Sequence, residues 1–392
     1  MELAWGPDEE AFRAELATFL DANAPSEARG RDFPQDDEGG GGIPDWARAW
    51  QATLFDHGWL VPGYPPELGG RDATPVQTLI YLEEMSARGL PRALHFPGYA
   101  IVAPSLLEFG TDEQKALAPA ALRGDTVWCI GMSEPDAGSD LASLSTRAVL
   151  DGDQFVVNGQ KVWTSYAMWA QKCFLYARTD LAAPKHKGIS VLILDMDTPG
   201  IEVRPLRHIT GNVDFAEVFF TDVIVPRDNL IGAMNDGWRI TMGSLAHERG
   251  GLWVQGVSAL QFSLDGLVAL ARRTGQDRDP VVRRRLADAY ARVAGLRALG
   301  YKGFSSFAQG SSAPEHSYLK LAVSEQGKAL YELGMELEGE MAVVVDREVN
   351  PDAGRWVRSF FTSFANTIAG GTSEIQRNII AERVLGLPRG GG

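Results

Sequence analysis

Between about residue 127 and residue 236 the chain gives up the helical period that governs both of its flanks, and this double change of period limits the folds open to it. Up to about residue 125, apolar residues recur at helical spacing through Glu9 to Leu20, Trp46 to Leu54, Val76 to Met85 and Tyr99 to Phe109. In TDEQKALAPAAL, Thr111 and Gln114 have capping-box spacing, and Pro119 is expected to end that helix. The acidic, glycine-rich RDFPQDDEGGGG, closing on Gly39 to Gly42, reads as a loop inside a domain because helical patterns continue on both sides. The middle stretch STRAVLDGDQFVVNGQKVWTS sets Asp151-Gly152 and Asn158-Gly159 between short β-rich runs, and such pairs tolerate the positive φ of tight hairpin turns. KGISVLILDM and DFAEVFFTDVIVP continue the strand-like enrichment. From Trp238 the helical period returns in segments around 238–273, 281–310, 315–345, 353–368 and 372–386, which predicts a bundle. The expectation is an α+β chain of three domains: helical over 1–126, β over 127–236 and a helical bundle over 237–392.

Composition narrows the partners. A formal charge of -14 argues against general affinity for nucleic acid or anionic membranes, because phosphate binding wants clustered Lys and Arg. Cys129 and Cys173 lie far apart without metal-like or redox-like spacing, so buried free thiols and no metal site are expected. The acidic N-terminus lacks the apolar core of a signal peptide, and no run approaches the roughly 18 apolar residues of a membrane span. A cytoplasmic, reducing location is the expectation.

Three tracts could carry chemistry. In MSEPDAGSD, Met132 to Asp140, Gly138 lets the backbone approach a ligand, while Ser133 and Ser139 offer hydroxyls; an ordinary turn is the plainer reading. In QKVWTS, Trp163 could pack on a flat ring with Thr164 and Ser165 as polar neighbours, or it could be a core Trp in a strand. Near the C-terminus, Gly370, Gly371, Thr372 and Ser373 precede a helical run, and Ser373 with Gln376 has capping-box spacing. Free N–H groups there suit a phosphate or a polarised carbonyl oxygen, and a plain capped helix is the alternative.

Taken in order, these tracts resemble the acyl-CoA dehydrogenase family across essentially the whole chain. MSEPDAGSD is similar to its first flavin signature and AGGTSEIQRNIIAERVLGLPR to its second. The resemblance implies an N-terminal α-helical domain, a middle β-barrel-like domain and a C-terminal four-helix bundle. It also implies a tetramer, a homotetramer with a heterotetramer as the alternative, holding FAD between domains and subunits. By position, FAD contacts carry over to Ile130, Met132, Ser133, Gly138, Ser139, Trp163, Thr164, Ser165, Gly371, Thr372, Ser373 and Glu374, with Ser139 also near the CoA of the substrate. Arg272 and Thr274 resemble an Arg-x-Thr that reaches a neighbouring subunit's FAD, although Gly275 replaces the usual Phe. Glu336 and Glu340 stand where a Gln and a Gly are expected near the adenosine end, an unfavourable place for a carboxylate.

Many members carry a catalytic Glu immediately before the Gly-Thr pair, and here that position is Gly370. One branch of the family supplies the base from the first long helix of the C-terminal domain, directly before an Arg. LAHERGG matches that pattern, giving Glu248 as base and Arg249 as a substrate-side Arg, followed by Gly250 and Gly251. A helical Glu considered alone is usually a solvated face residue, and Arg249 alone a surface ion pair. Gly370 then keeps a role through its N–H, which can donate to the thioester carbonyl, and its missing side chain opens volume for a branched, cyclic or bulky acyl group. The implied activity is α,β-dehydrogenation of an acyl-CoA to a trans-2-enoyl-CoA with electrons passed to an electron-transfer flavoprotein. The alternatives are a silent or partner-dependent subunit of a heteromer, and an oxygen-using monooxygenase or oxidase of the same fold.

Overall fold

A computed structural model describes residues 5–28, 42–93, 96–249, 252–308, 315–346 and 348–388, with the side chains of 244–249, 252, 307–308 and 316 outside that description. All of RDFPQDDEGGGG except Gly42 also lies outside the described residues. The chain forms two compact units, Met1–Glu248 and Arg249–Gly392.

The first unit opens with helices. On α1 (Pro7–Asn23), Phe12, Leu16 and Leu20 recur every fourth residue and bury one stripe. α2 spans Asp45–Asp56, and α3 (Pro75–Ala87) starts from a Thr74/Gln77 capping box with Pro75 in its first turn. A π turn, Gly98–Val102, leads into α4 (Ala103–Phe109). Thr111 and Gln114 exchange both capping-box bonds at α5 (Asp112–Lys115), which stops before α6 (Ala118–Arg123), where Pro119 occupies the first turn. Pro119 is tolerated there because its missing N–H would have had no intrahelical partner.

The β-rich stretch folds as one sheet. Its strands are β1 (Trp128–Gly131), β2 (Arg147–Asp151), β3 (Gln154–Ser165), β4 (Lys172–Arg178), β5 (Ile189–Asp195), β6 (Ile201–Leu206), β7 (Phe215–Pro226) and β8 (Leu230–Ile231). They lie in the order β6-β7-β3-β2-β4-β5-β8, with β1 added parallel to β4. β4 and β5 are buried on both faces, which is why KCFLYAR and ISVLILD show no clean alternation. Cys129 and Cys173 meet as register partners on β1 and β4, and both are buried free thiols. Asp151-Gly152 opens the β2–β3 turn, whose two loop residues are Gly152, at φ 61°, and Asp153, between the paired Asp151 and Gln154.

Asn158-Gly159 makes no turn. It lies inside β3, which runs on beside β7 and absorbs the pair as a register shift between Val157 and Gly159. A Cβ on Gly159 would meet Thr146 Oγ1 at 2.5 Å, so the glycine serves a close approach, while Asn158 bonds Asp222 on β7.

α7 (Gly237–Arg249) follows the sheet, and the second unit is built from α8 (Leu252–Arg273), α9 (Pro280–Ala308), α10 (Glu315–Glu338), α11 (Arg355–Asn366) and α12 (Ser373–Ile379). The segment read as 238–273 is therefore two helices. The one read as 315–345 ends its α-helix at Glu338, because Gly339 turns left-handed at φ 61° and a short 3-10 turn follows. Trp253–Arg273 has the length and mean hydropathy, 1.3, of a crossing helix, although, as expected, it contains no unbroken run of about 18 apolar residues. Its apolar side chains Trp253, Val257, Leu260, Leu264, Leu267 and Leu270 are buried, and the helix packs against α9 and α10. Mean hydropathy rises because a central bundle helix buries a wide stripe, although polar residues interrupt any long apolar run.

α10 and α11 approach closely at Gly334, where an added Cβ would lie 2.2 Å from a ring carbon of the buried Trp356. Gly334→Ala would gain roughly 1 kcal/mol of helix propensity. Overpacking against the indole costs roughly 1–3 kcal/mol, so the expected outcome is net destabilisation. A lower denaturant midpoint at unchanged slope is the measurement that checks it.

Candidate functional site

The first cluster forms where β1 runs into Met132–Asp140 and meets the end of β3. Lys161 on β3 is fully buried, yet its Nζ donates to Glu134 at 2.8 Å and to the Met132 carbonyl at 3.0 Å. Beside it, Val162 N–H donates to the Ser133 carbonyl at 2.9 Å. Glu134 also accepts from Ser145 N–H, Ser145 Oγ and Thr146 N–H at 2.6, 2.8 and 2.8 Å, and exchanges backbone bonds with Ala137. Burial pushes the Glu134 pKa up, but the Lys161 ammonium and these donors outweigh it and hold it at about 2. Burial draws Lys161 down to about 8 against the pull of Glu134. Two tracts distant in sequence are thus pinned together by a pair that motif reading missed. An unusual lysine inside a strand's alternating pattern was the available signal.

Past Lys161 the β3–β7 register shifts again, and Trp163 adopts φ 57°, costly for a bulky residue. Its indole is 58% exposed and touches Phe215 edge-on at 5.9 Å between ring centres, so it is not a core Trp. Next to it, Thr164 is buried, and its Oγ1 has no partner among the described residues. Ser165 pairs with Phe215 across the sheet, and Ile130 with Phe174. Met132 and Ser133 are half-buried, whereas Gly138 and Ser139 are exposed, with open space around Gly138. A presented indole beside a buried hydroxyl that lacks a partner fits a flat ring system with polar edge atoms, so the residues present suit a flavin.

The second cluster is the turn between α11 and α12. Gly370 and Gly371 take φ 64° and 93°, which glycine adopts without strain. Their carbonyls are tied back: Gln376 Nε2 donates to Gly370 at 3.0 Å, and Lys320 Nζ on α10 donates to Gly371 at 2.6 Å and to Asn366 at 3.2 Å. Among the described residues no backbone carbonyl accepts the N–H of either glycine. Around Gly370 an added Cβ would find only Lys320 Cε, at 3.9 Å. The cap differs from the sequence expectation: Thr372, not Ser373, caps α12 by accepting from Ile375 N–H at 3.2 Å. Ser373 is instead buried and donates to Glu325 at 2.6 Å, while Glu374 is exposed beside Arg377. Lys320 gave no sequence signal, because its role appears only when α10 lies against this turn.

Other expected residues lie apart. Arg272 is exposed and Thr274 bonds back to Leu270 at the end of α8, where Gly275 at φ 74° ends the helix with open space around it. Glu336 is paired with Arg285, which lowers its pKa and neutralises the carboxylate that sequence reasoning found unfavourable. Glu340 is exposed. Glu248 and Arg249 fall on the last turn of α7, but their side chains lie outside the described residues, as do Gly250 and Gly251 altogether. Among the described residues no group of three or more His, Cys, Asp or Glu could hold a metal ion.

The family model "Acyl-CoA dehydrogenase, N-terminal domain" matches residues 6–125, the middle-domain model 129–223 and the C-terminal-domain model 235–385. "Acyl-CoA dehydrogenase IpdE1" of Mycobacterium tuberculosis is 38% identical over 396 residues, covering 97% of this chain and 98% of its own. Among solved structures, "Tcur3481-Tcur3483 steroid ACAD" has a TM-score of 0.84 at 33% identity over 100% of both chains. The ChsE4-ChsE5 complex from Mycobacterium tuberculosis has a TM-score of 0.83, also at 33% identity over 100% of both chains.

Glu134→Gln would leave the Lys161 ammonium buried without its anion, a change that costs roughly 3–5 kcal/mol. Replacing both, Glu134→Gln with Lys161→Met, is expected to cost less than the single change. The sign with pH follows: a depressed carboxylate pKa contributes stability that is complete above its ordinary value, 4.5, and is lost as pH falls toward about 2. Acid unfolding of the native chain should therefore steepen in that window, and the Glu134→Gln profile should be flatter. Denaturation midpoints across the acid range check both statements.

Proposed function

The chain belongs to the acyl-CoA dehydrogenase family of flavoprotein oxidoreductases, and from that premise we propose that it uses FAD to desaturate a bulky, ring-bearing acyl-CoA between Cα and Cβ, with Glu248 as the base. The observation that carries this reading is Gly370, a left-handed glycine with open space where an acid commonly stands. A chain that gives up that acid needs another carboxylate, and Glu248 before Arg249 is the motif-matched candidate. The similarity to a structure named as a steroid acyl-CoA dehydrogenase supports a polycyclic acyl group.

Each residue then has a defined task. Glu248 removes the Cα proton, and the Gly370 N–H, unaccepted by any described carbonyl, donates to the thioester oxygen as negative charge develops there. Gln376 and Lys320 hold the Gly370 and Gly371 carbonyls, which fixes the peptide planes that carry the N–H groups of Gly371 and Thr372. Trp163, Thr164, Ser133 and Ser139 would hold the flavin from the first unit, and Thr372 to Glu374 are the motif-matched residues that would hold it from the second. Arg249 and Ser139 attend the substrate. When bound, FAD supplies the hydride acceptor for Cβ. An electron-transfer flavoprotein takes the electrons onward.

A second reading, a partner-dependent subunit, is favoured by one finding: both structural neighbours above are named as two-component assemblies. Purified alone, a yellow tetramer reduced by acyl-CoA supports the first reading, and a colourless chain that gains flavin only with a partner supports the second. Mechanism is tested by anaerobic flavin bleaching with an acyl-CoA panel. Ring-bearing thioesters should bleach the flavin faster than straight medium chains. Glu248→Gln should retain flavin and ligand binding while slowing bleaching by about 10²–10⁴-fold. Unchanged bleaching in that variant excludes Glu248 as base, and a preference for straight chains excludes the bulky substrate.

A further inference from the structure

The helical part of the first unit contains a polar group set that its own fold leaves incomplete. Tyr81, on α3, is fully buried, and its hydroxyl has no partner among the described residues. Burial raises its pKa strongly, so the hydroxyl is neutral and available as a donor. Arg92 is partly buried; one guanidinium nitrogen donates to Tyr99 Oη at 3.1 Å, and the group sits 5.4 Å from the Tyr99 ring centre. Its Nε is buried without a partner, and among the described residues no carboxylate lies within ion-pair distance. Elsewhere in this unit the partly buried Arg71, Arg88 and Arg123 each face an acid.

This group is also held in place. Trp50, buried on α2, donates to the Pro91 carbonyl at 2.8 Å and fixes the backbone immediately before Arg92. Tyr99 stands on the π turn Gly98–Val102, an irregularity common at functional sites, and Phe96 packs edge-on against it at 5.7 Å. The π turn packs on β1, the strand that runs into the Met132–Asp140 loop of the candidate cofactor face. A buried hydroxyl and a guanidinium with free donors, one strand from that face, match an incoming oxygen acceptor better than a hydrocarbon.

We propose that Arg92, with the hydroxyls of Tyr81 and Tyr99, receives an oxygen acceptor, a carboxylate or a keto oxygen, carried on the acyl group of the substrate at a distance from the thioester. This rests on the dehydrogenase reading and sharpens it from a bulky acyl group to an oxygenated one. Arg92 and the two tyrosines are specificity-determining residues and take no part in proton or hydride transfer.

The test uses the flavin-loaded enzyme, with its partner subunit where one is needed, and three unreactive CoA thioethers on one saturated ring skeleton ending in a carboxylate, a ketone or a plain methylene. Equilibrium titration should show the better oxygenated ligand binding about 10- to 100-fold tighter than the hydrocarbon, the span of one or two hydrogen bonds to a charged donor. The carboxylate and ketone arms decide which oxygen is taken. Arg92→Met should abolish the preference while leaving hydrocarbon affinity within about twofold, and with reactive thioesters its loss should fall on KM, not kcat. Tyr81→Phe removes a hydroxyl that bonds nothing in the fold, so it keeps the chain folded should Arg92→Met fail to fold, and it should lower the preference by at least about threefold. Absence of preference in the native protein means buried water alone fills the site and overturns the proposal. Equal weakening of all three ligands in the variants means a structural role and also overturns it. If no CoA ligand binds and no acyl-CoA bleaches the flavin, the dehydrogenase reading fails and takes this proposal with it; bleaching without discrimination overturns the proposal alone.

Discussion

The buried pair of Glu134 and Lys161 is the interaction on which the candidate cofactor face depends. Placing both charges in the interior costs several kcal/mol per ion, and the cost is offset by bonds that fill the carboxylate's capacity and engage two of the ammonium's three donors. Glu134 takes four donors, from Lys161, Thr146 and two on Ser145, which matches the lone-pair sites of a carboxylate. Lys161 spends its remaining reach on the Met132 carbonyl. Two apolar side chains of equal volume could fill the same space, but they would not choose among sliding positions of the loop. The charges supply direction: they fix which residues of Met132–Asp140 face the end of β3.

From that anchor outward, the two clusters solve the same backbone problem differently. At Trp163 the chain accepts φ 57° on a bulky, exposed residue where the β3–β7 register shifts, with Tyr166 also left-handed at φ 63°. Strain of that kind persists only where surrounding bonds over-determine the conformation, and the bonds at Lys161 and Val162 do so one and two residues upstream. Gly370 and Gly371 take the same region of φ without strain, and at Gly371 an added Cβ would also lie 2.8 Å from Gln376 Nε2. Bonds from Gln376 and Lys320 to the two glycine carbonyls fix the peptide planes that follow them, and with these the N–H groups of Gly371 and Thr372.

Features set by local chemistry were legible in the sequence, and features set by distant pairing were not. The Thr111/Gln114 capping box, the Asp151-Gly152 turn and the apolar stripe of α1 each depend on residues a few positions apart, and each forms as read. Asn158-Gly159 has the same local signal as a hairpin, but β7 continues beside it and converts the turn into a bulge. The α12 cap falls one residue earlier, on Thr372, and the buried Ser373 donates instead to Glu325 on α10. Motif order pointed to the family without revealing what holds the motifs. The Glu134–Lys161 pair spans 27 positions and the Lys320–Gly371 bond 51, separations that periodicity does not encode.

Substrate size and substrate polarity are separate physical questions, and different residues answer them. The open space at Gly370 admits bulk, yet volume alone discriminates weakly, since one methylene in an apolar pocket is worth about 1–3 kcal/mol. A buried donor left without an acceptor discriminates far more steeply, because every ligand lacking the matching oxygen must leave that donor unpaired. Tyr81 and Arg92 present such donors, whereas the partly buried Arg71, Arg88 and Arg123 of the same unit each pair with an acid. Under the proposed reading, Gly370 would bear on which acyl groups fit, while the incomplete polar group on α3 and the π turn would bear on which of those is chosen.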